Sequence, residues 1–257
     1  MGIKGDNMYH YIEDKHFLKQ MRRDCSDIVN QLVQSINNDD MLSVEMELVG
    51  SGARNLITQN GDQPIDLDYN LCIEDFSELQ IGDGRKIKDY VKERFDAVLV
   101  RNGWGISEDS TSALSTEWRH YKTGNRTEFK MDLGIVRKSH FGVQRLIHLK
   151  TGFVQKDEWY WNTVRGTIGF AEKVQAIKDH ALWQVVRDRY LEKKNMYLTR
   201  NDNNHPSFIV YLETVHEIYH AYIEAPRRQN SGLTTGWVDV NKMPQRQYLQ
   251  IPGWVKA

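Results

Sequence analysis

Cysteine is nearly missing from this 257-residue chain: Cys25 and Cys72 are its only two. That excludes a disulfide framework and a cysteine-built zinc site, and it fits a reducing compartment. No apolar run approaches the ~20 residues needed to span a bilayer, and the opening MGIKGDNMYHYIEDKHF lacks the apolar centre of a signal peptide. Asp6 stands where N-myristoylation requires Ser or Thr. The expectation is a soluble, cytoplasmic protein without a membrane partner. Charge of one sign is not in excess either: 34 basic against 35 acidic residues give a net charge of -1. Nothing therefore draws the whole surface toward nucleic acid, and any such contact would need a local patch. Repeats and low-complexity runs are absent. What is present is a hydrophobic fraction of 40%, enough for a sizeable core.

The periodicities order the chain. Tyr9, Ile12, Phe17, Leu18, Met21, Ile28, Leu32, Val33 and Ile36 recur near helical spacing, which predicts one long or two short helices over residues 8–37. MLSVEMELVG then alternates with period two, a half-buried strand that leads into GSGARN. IDLDYNLCI alternates again: Ile65, Leu67, Tyr69 and Leu71 share one face and Asp66, Asp68 and Asn70 the other. A helix is expected from Gly84 to Val100, then a hairpin of residues 113–121 and 126–136 turned by KTGN, then a strand from Phe141 to Leu149. From Thr167 the pattern is helical, with a further helix from Ser207 to Glu224 behind Pro206. The last thirty residues read as an irregular tail. Together these imply an α+β protein: a mixed, mostly antiparallel sheet flanked by helices in residues 1–155, then a helical region with its tail in residues 156–257.

Two acids at i and i+2 on a strand point the same way, roughly 7 Å apart at Cα. TEFKMDLGIV supplies a third, because Phe129, Met131, Leu133 and Ile135 alternate with Lys130, Asp132 and Gly134. If these strands pair, three carboxylates converge and repel one another, and a hard divalent cation that favours oxygen ligands and phosphates is the expected resident. Gly50 and Ser51 form a turn whose amides suit an anion, and Arg54 adds a charged fork beside it.

VGSGARNLITQNGDQPIDLDYNLCI followed by FKMDLGIV resembles the DNA polymerase β-type nucleotidyltransferase superfamily, over roughly residues 44 to 136. The resemblance implies two-metal nucleotidyl transfer from a nucleoside triphosphate. Asp66 and Asp68 would hold two magnesium (or manganese) ions, Asp132 would hold one of them and help activate the acceptor hydroxyl, and Gly50 and Ser51 would bind the β and γ phosphates. It also implies a helical region closing over the nucleotide, with Lys173, Lys178 and Arg187 as candidates to reach phosphate. The acceptor stays open: a small molecule such as an antibiotic, a protein side chain, an RNA end or a second nucleotide. So does oligomeric state.

Two other readings stand beside this one. A pseudoenzyme on the same fold would bind a nucleotide or a partner without transferring anything. HEIYH places His216, Glu217 and His220 in the HExxH pattern of zinc peptidases, but downstream of Glu224 the chain has no His or Glu and Asp239 is its only acid. Trp159, Tyr160 and Trp161 are candidates for ring stacking or core packing, Trp104, Trp118 and Trp183 are assigned to packing, and His148 reads as an ordinary polar residue on a strand.

Overall fold

A computed structural model describes residues 8–140, 142–164 and 169–225. The expected tail and the first two residues of the helix expected from Thr167 lie outside the described residues. In chain order the elements are β1 (Tyr9–Tyr11), α1 (Lys15–Asn37), β2 (Leu42–Leu48), α2 (Gly50–Arg54), β3 (Thr58–Asn60), β4 (Ile65–Phe76), α3 (Gly84–Arg101), β5 (Glu108–Asp109), β6 (Leu114–Ser115), β7 (Phe129–Ser139), β8 (Gly142–Leu149), β9 (Glu158–Thr163), α4 (Phe170–Asp179), α5 (Trp183–Thr199) and α6 (Ser207–Tyr219). A π-helical turn, His220–Glu224, extends α6.

Asp14 starts α1 by accepting a hydrogen bond from the Phe17 amide at 2.9 Å, which satisfies one of the helix's free donors. Phe17, Met21, Cys25, Ile28, Val29, Leu32 and Ile36 then form its buried stripe. At the other end Asn37 clips the helix to β2: its side chain accepts from the Val44 amide at 2.8 Å and donates to the Val44 carbonyl at 3.0 Å. In α3 the buried stripe is Ile87, Val91, Phe95, Val98 and Leu99.

Both helices pack on one face of a seven-stranded sheet, whose path runs β2-β4-β7-β6-β5 with β8 joined to β7 and β9 to β8. Among the described residues only β4 and β7 pair in parallel, and the other pairings are antiparallel. The sheet is thus mixed and mostly antiparallel, as the patterning predicts. Leu67, Tyr69, Leu71, Met131 and Leu133 fill its helix-covered face. The opposite face carries the acids. A second cluster, centred on Phe170, Ile177, Val186, Tyr190, Val210, Tyr211, Val215 and Ile218, is built by α4, α5 and α6 with Leu56 from the chain between α2 and β3.

Four local expectations are corrected. Residues 9–11 form a strand rather than the start of the helix, because Tyr-His-Tyr pairs with Thr58–Asn60 and the Asp14 cap delays helix entry. The hairpin around KTGN is frayed: β6 is two residues long and Arg119 meets Phe129 only as an isolated bridge. Here the Thr116 hydroxyl takes the place of a carbonyl in the ladder, accepting from the Met131 amide at 3.0 Å. The sheet also continues to Thr163, beyond residue 155, because Trp159 and Trp161 turn to the helix-covered side, where Trp159 stacks on His148 and Trp161 packs edge-on to Phe76. His148 is no ordinary polar residue; it is buried, with Asp109 at 2.7 Å on one ring nitrogen and Asp157 at 3.1 Å on the other.

The small β1–β3 sheet ties the N-terminal end of the chain to α5. Asn195 hydrogen-bonds the Tyr9 backbone in both directions, and the buried Lys194 donates to Thr58 Oγ1 at 2.9 Å with its ammonium 3.6 Å from the Tyr9 ring centroid. Burial lowers the Lys194 amine to about 8. A depressed lysine penalises the folded state below about pH 8, and the penalty is relieved as pH rises toward the unfolded value near 10.5. Between pH 8 and 10.5 the wild type is expected to gain stability relative to Lys194→Met, by at most about 3 kcal/mol. Chemical denaturation of both proteins across that window checks it; parallel curves would refute it.

Candidate active site

The β4–β7 pairing sets Asp68 directly beside Asp132 and Asp66 beside Lys130. Register partners on parallel neighbours share a face, so the three predicted acids do meet on the face that α1 and α3 leave free. Gly50 presses against Asp68. It adopts φ +62°, and a Cβ there would lie 2.2 Å from Asp68 Oδ2, so only glycine fits. The Val49 amide donates to the Asp68 carbonyl at 2.9 Å, which fixes the turn on β4. Ser51 follows in α2, whose last residue, Arg54, reaches back to the Gly50 carbonyl at 2.5 Å and lies 4.6 Å from the Tyr211 ring centroid on α6. Arg54 thereby joins the turn to the helical region.

The electrostatics are those of crowded carboxylates. Asp66, its side chain 49% exposed, is pushed up to about 6, first by desolvation, then by repulsion from Asp132 and Asp68, with Lys130 opposing. Asp68 is raised by burial and by Asp132, against Arg145, Lys130 and Arg54. Asp132 Oδ1 is buried without a hydrogen-bond partner.

Among the described residues no three His, Cys, Asp or Glu side chains form a ready-made cage for an ion. The three acids nonetheless fit magnesium. They are hard oxygen donors that repel one another, one buried oxygen accepts no hydrogen bond, and magnesium completes its octahedron with water and substrate phosphate rather than a full protein shell.

Two cations at the site escaped the sequence reading. Lys130 Nζ lies 3.5 Å from Asp132 Oδ1 and 3.9 Å from Asp66 Oδ1, with the Trp118 ring centroid at 5.0 Å. Trp118 is therefore a 47% exposed platform beside the acids and not the packing residue expected. Arg145 on β8 extends across β7, donates to Asn70 Oδ1 at 3.0 Å and faces Asp68 and Asp132 electrostatically. Gly134 gives the crossing room, since a Cβ there would come within 3.2 Å of the Arg145 guanidinium carbon. The i−2 spacing of Lys130 from Asp132 was a readable signal for the first; nothing local marks Arg145.

The helical candidates are not brought to the acids. Lys178 is exposed, its ammonium 5.4 Å from the Trp183 ring centroid. Arg187 lies over the Tyr11 ring at 3.9 Å. Lys173 approaches His216 Nδ1 at 3.0 Å and His220 Nε2 at 3.5 Å, so an ammonium stands where HEIYH would need a zinc ion. Burial and then Lys173 hold His216 below its usual range. Glu217 is engaged elsewhere, by Arg189 at 2.7 Å and Lys193 at 2.9 Å. Addition of zinc should leave the melting temperature of the purified protein unchanged; a saturable rise abolished by His216→Ala would restore the zinc reading.

No protein-family model matches the chain. No curated protein sequence matches it. Solved structures are similar to it. A structure of E. coli MS115-1 CdnC with ATP aligns at TM-score 0.51 and 16% identity, covering 94% of this chain and 74% of that one. A cyclic dinucleotide synthase, CdnE of Elizabethkingia meningoseptica, with GTP and Apcpp, gives 0.43 and 11% over 80% and 78%. Vibrio cholerae DncV in its 3'-deoxy ATP bound form gives 0.47 and 13%, over 75% of this chain and 49% of that one. The chain has the α+β fold expected of it, a mixed and mostly antiparallel sheet flanked by helices, and shares it with the CdnC structure.

Proposed function

We propose that this protein is a metal-dependent nucleotidyltransferase, moving a nucleoside monophosphate from a nucleoside triphosphate to a hydroxyl acceptor and releasing pyrophosphate. The observation that carries the reading is the register pairing of Asp68 with Asp132 beneath a turn whose Gly50 touches Asp68. Asp66, Asp68 and Asp132 would hold magnesium, which supplies neutralisation of charge at the reacting phosphate. The acceptor oxygen would bond to the α-phosphorus as the bond to the β-phosphate oxygen breaks, with Asp132 helping to take up the hydroxyl proton. Gly50 and Ser51 would cradle the β and γ phosphates through main-chain and hydroxyl donors, with Arg54 holding that turn against Tyr211. Lys178 is assigned no role in this scheme, its ammonium lying 5.4 Å from the Trp183 ring centroid.

The CdnC structure contains ATP, which makes ATP the first triphosphate to try. The full chain, incubated with magnesium and each α-labelled triphosphate, alone and with candidate acceptors, should release pyrophosphate and form a labelled product. Absence of both for every triphosphate, alongside measurable nucleotide binding, would favour a binding module without transfer. The place of Lys130 among the acids is the observation that speaks for that second reading.

A further inference from the structure

We infer that Lys130 is a built-in counter-cation of the acid cluster, occupying the place of a divalent ion and competing with it for Asp66 and Asp132. The inference rests on the reading of these acids as metal ligands. A lysine on an uncovered face of a sheet ordinarily extends into water, where its charge is best solvated and its side chain keeps its rotamer freedom. Lys130 does otherwise. Its side chain is only 23% exposed, its stem lies along a face shared with Asp132 two residues on, and its ammonium is bracketed by Asp132, Asp66 and the exposed Trp118 ring.

The contacts, at 3.5 and 3.9 Å, are longer than charge-assisted hydrogen bonds of about 2.7–2.9 Å, so the ammonium screens the carboxylates without being locked to them. Asp132 Oδ1 keeps an unfilled hydrogen-bonding capacity beside it. Three carboxylates faced by Lys130, Arg145 and Arg54 leave the cluster without excess negative charge, which lowers the attraction for a free divalent ion. A nucleotide that arrives with its own metal brings ligands and charge that displace the ammonium, and the Trp118 face retains it beside the phosphates by cation–π attraction. Metal loading is thereby made dependent on nucleotide.

The test is manganese binding to the full-length protein without nucleotide, read by electron paramagnetic resonance. Lys130→Met keeps the stem and removes the charge, and it should bind Mn2+ about tenfold more tightly than wild type, the size expected for removing one nearby positive charge at a partly exposed site. Lys130→Arg should stay near wild type, and Asp132→Asn should lose the binding. In melting curves Lys130→Met should lie below wild type without metal and gain more from Mn2+, which a merely structural lysine would not produce. Lys130→Gln serves as a second neutral variant should the methionine protein fail to fold. Binding that requires Asp132 but is no tighter in the neutral variants overturns the inference and leaves the metal site standing. Binding in none of the proteins overturns both. Tightened binding without turnover of any triphosphate upholds the counter-cation and removes the proposed activity.

Discussion

Asp132→Asn should reduce nucleotidyl transfer at least about a thousandfold while leaving the protein folded, with a metal-free melting temperature equal to or above that of wild type. The two halves of the expectation have one cause. Asp132 sits in register with Asp68, and repulsion between them helps to raise the Asp68 carboxyl. An amide at 132 removes that repulsion, so the resting fold gains. The same change removes a ligand anion from the place where charge must be neutralised during transfer, and losses of that kind cost several kcal/mol of barrier. Steady-state rates beside thermal melts read both. Near-wild-type turnover by Asp132→Asn would end the proposed function, and a large drop in melting temperature would reassign Asp132 to structure.

Gly50→Ala should be comparably severe for a different reason. The added methyl would fall 2.2 Å from Asp68 Oδ2, and the φ of +62° is a left-handed conformation that costs a residue with Cβ about 1–2 kcal/mol. The turn can relieve the clash only by pushing the Asp68 carboxylate aside or by moving α2, whose Arg54 is tied to Gly50 and Tyr211. Turnover should fall at least about a hundredfold, since a displacement near 1 Å at a reacting centre costs that much, and stability should drop by about 1–2 kcal/mol. Gly52→Ala is an instructive comparison. Its Cβ would meet Leu67 and Leu48, apolar side chains rather than an acid, so its cost should appear mainly in the melt. Equal loss of activity in both variants would show that the turn matters only for folding.

Much of this arrangement was legible along the chain. Alternation in IDLDYNLCI and FKMDLGIV put Asp66, Asp68 and Asp132 on polar faces, and the stripes of α1 and α3 were readable from apolar spacing alone. Other parts were not legible, because the signal lay in partners distant in sequence. Tyr9 satisfied a helical stripe, yet it lies in strand register with Asn60 and its backbone bonds in both directions to Asn195. HEIYH had the right spacing for a metal, yet its side chains face Lys173, Arg189 and Lys193.

Local alternation decides which way a side chain points from a strand, because successive residues must take opposite faces; the outward orientation of the three acids, and of Lys130 on the same face as Asp132, follows from the order of residues alone. Tertiary structure decided the rest: that β4 and β7 lie side by side in the register joining Asp68 to Asp132, that Gly50 closes on Asp68, and that Arg145 crosses Gly134 to reach Asn70. Strand pairing and the reach of long cationic side chains depend on what the folded chain brings alongside, and no neighbour in sequence records that.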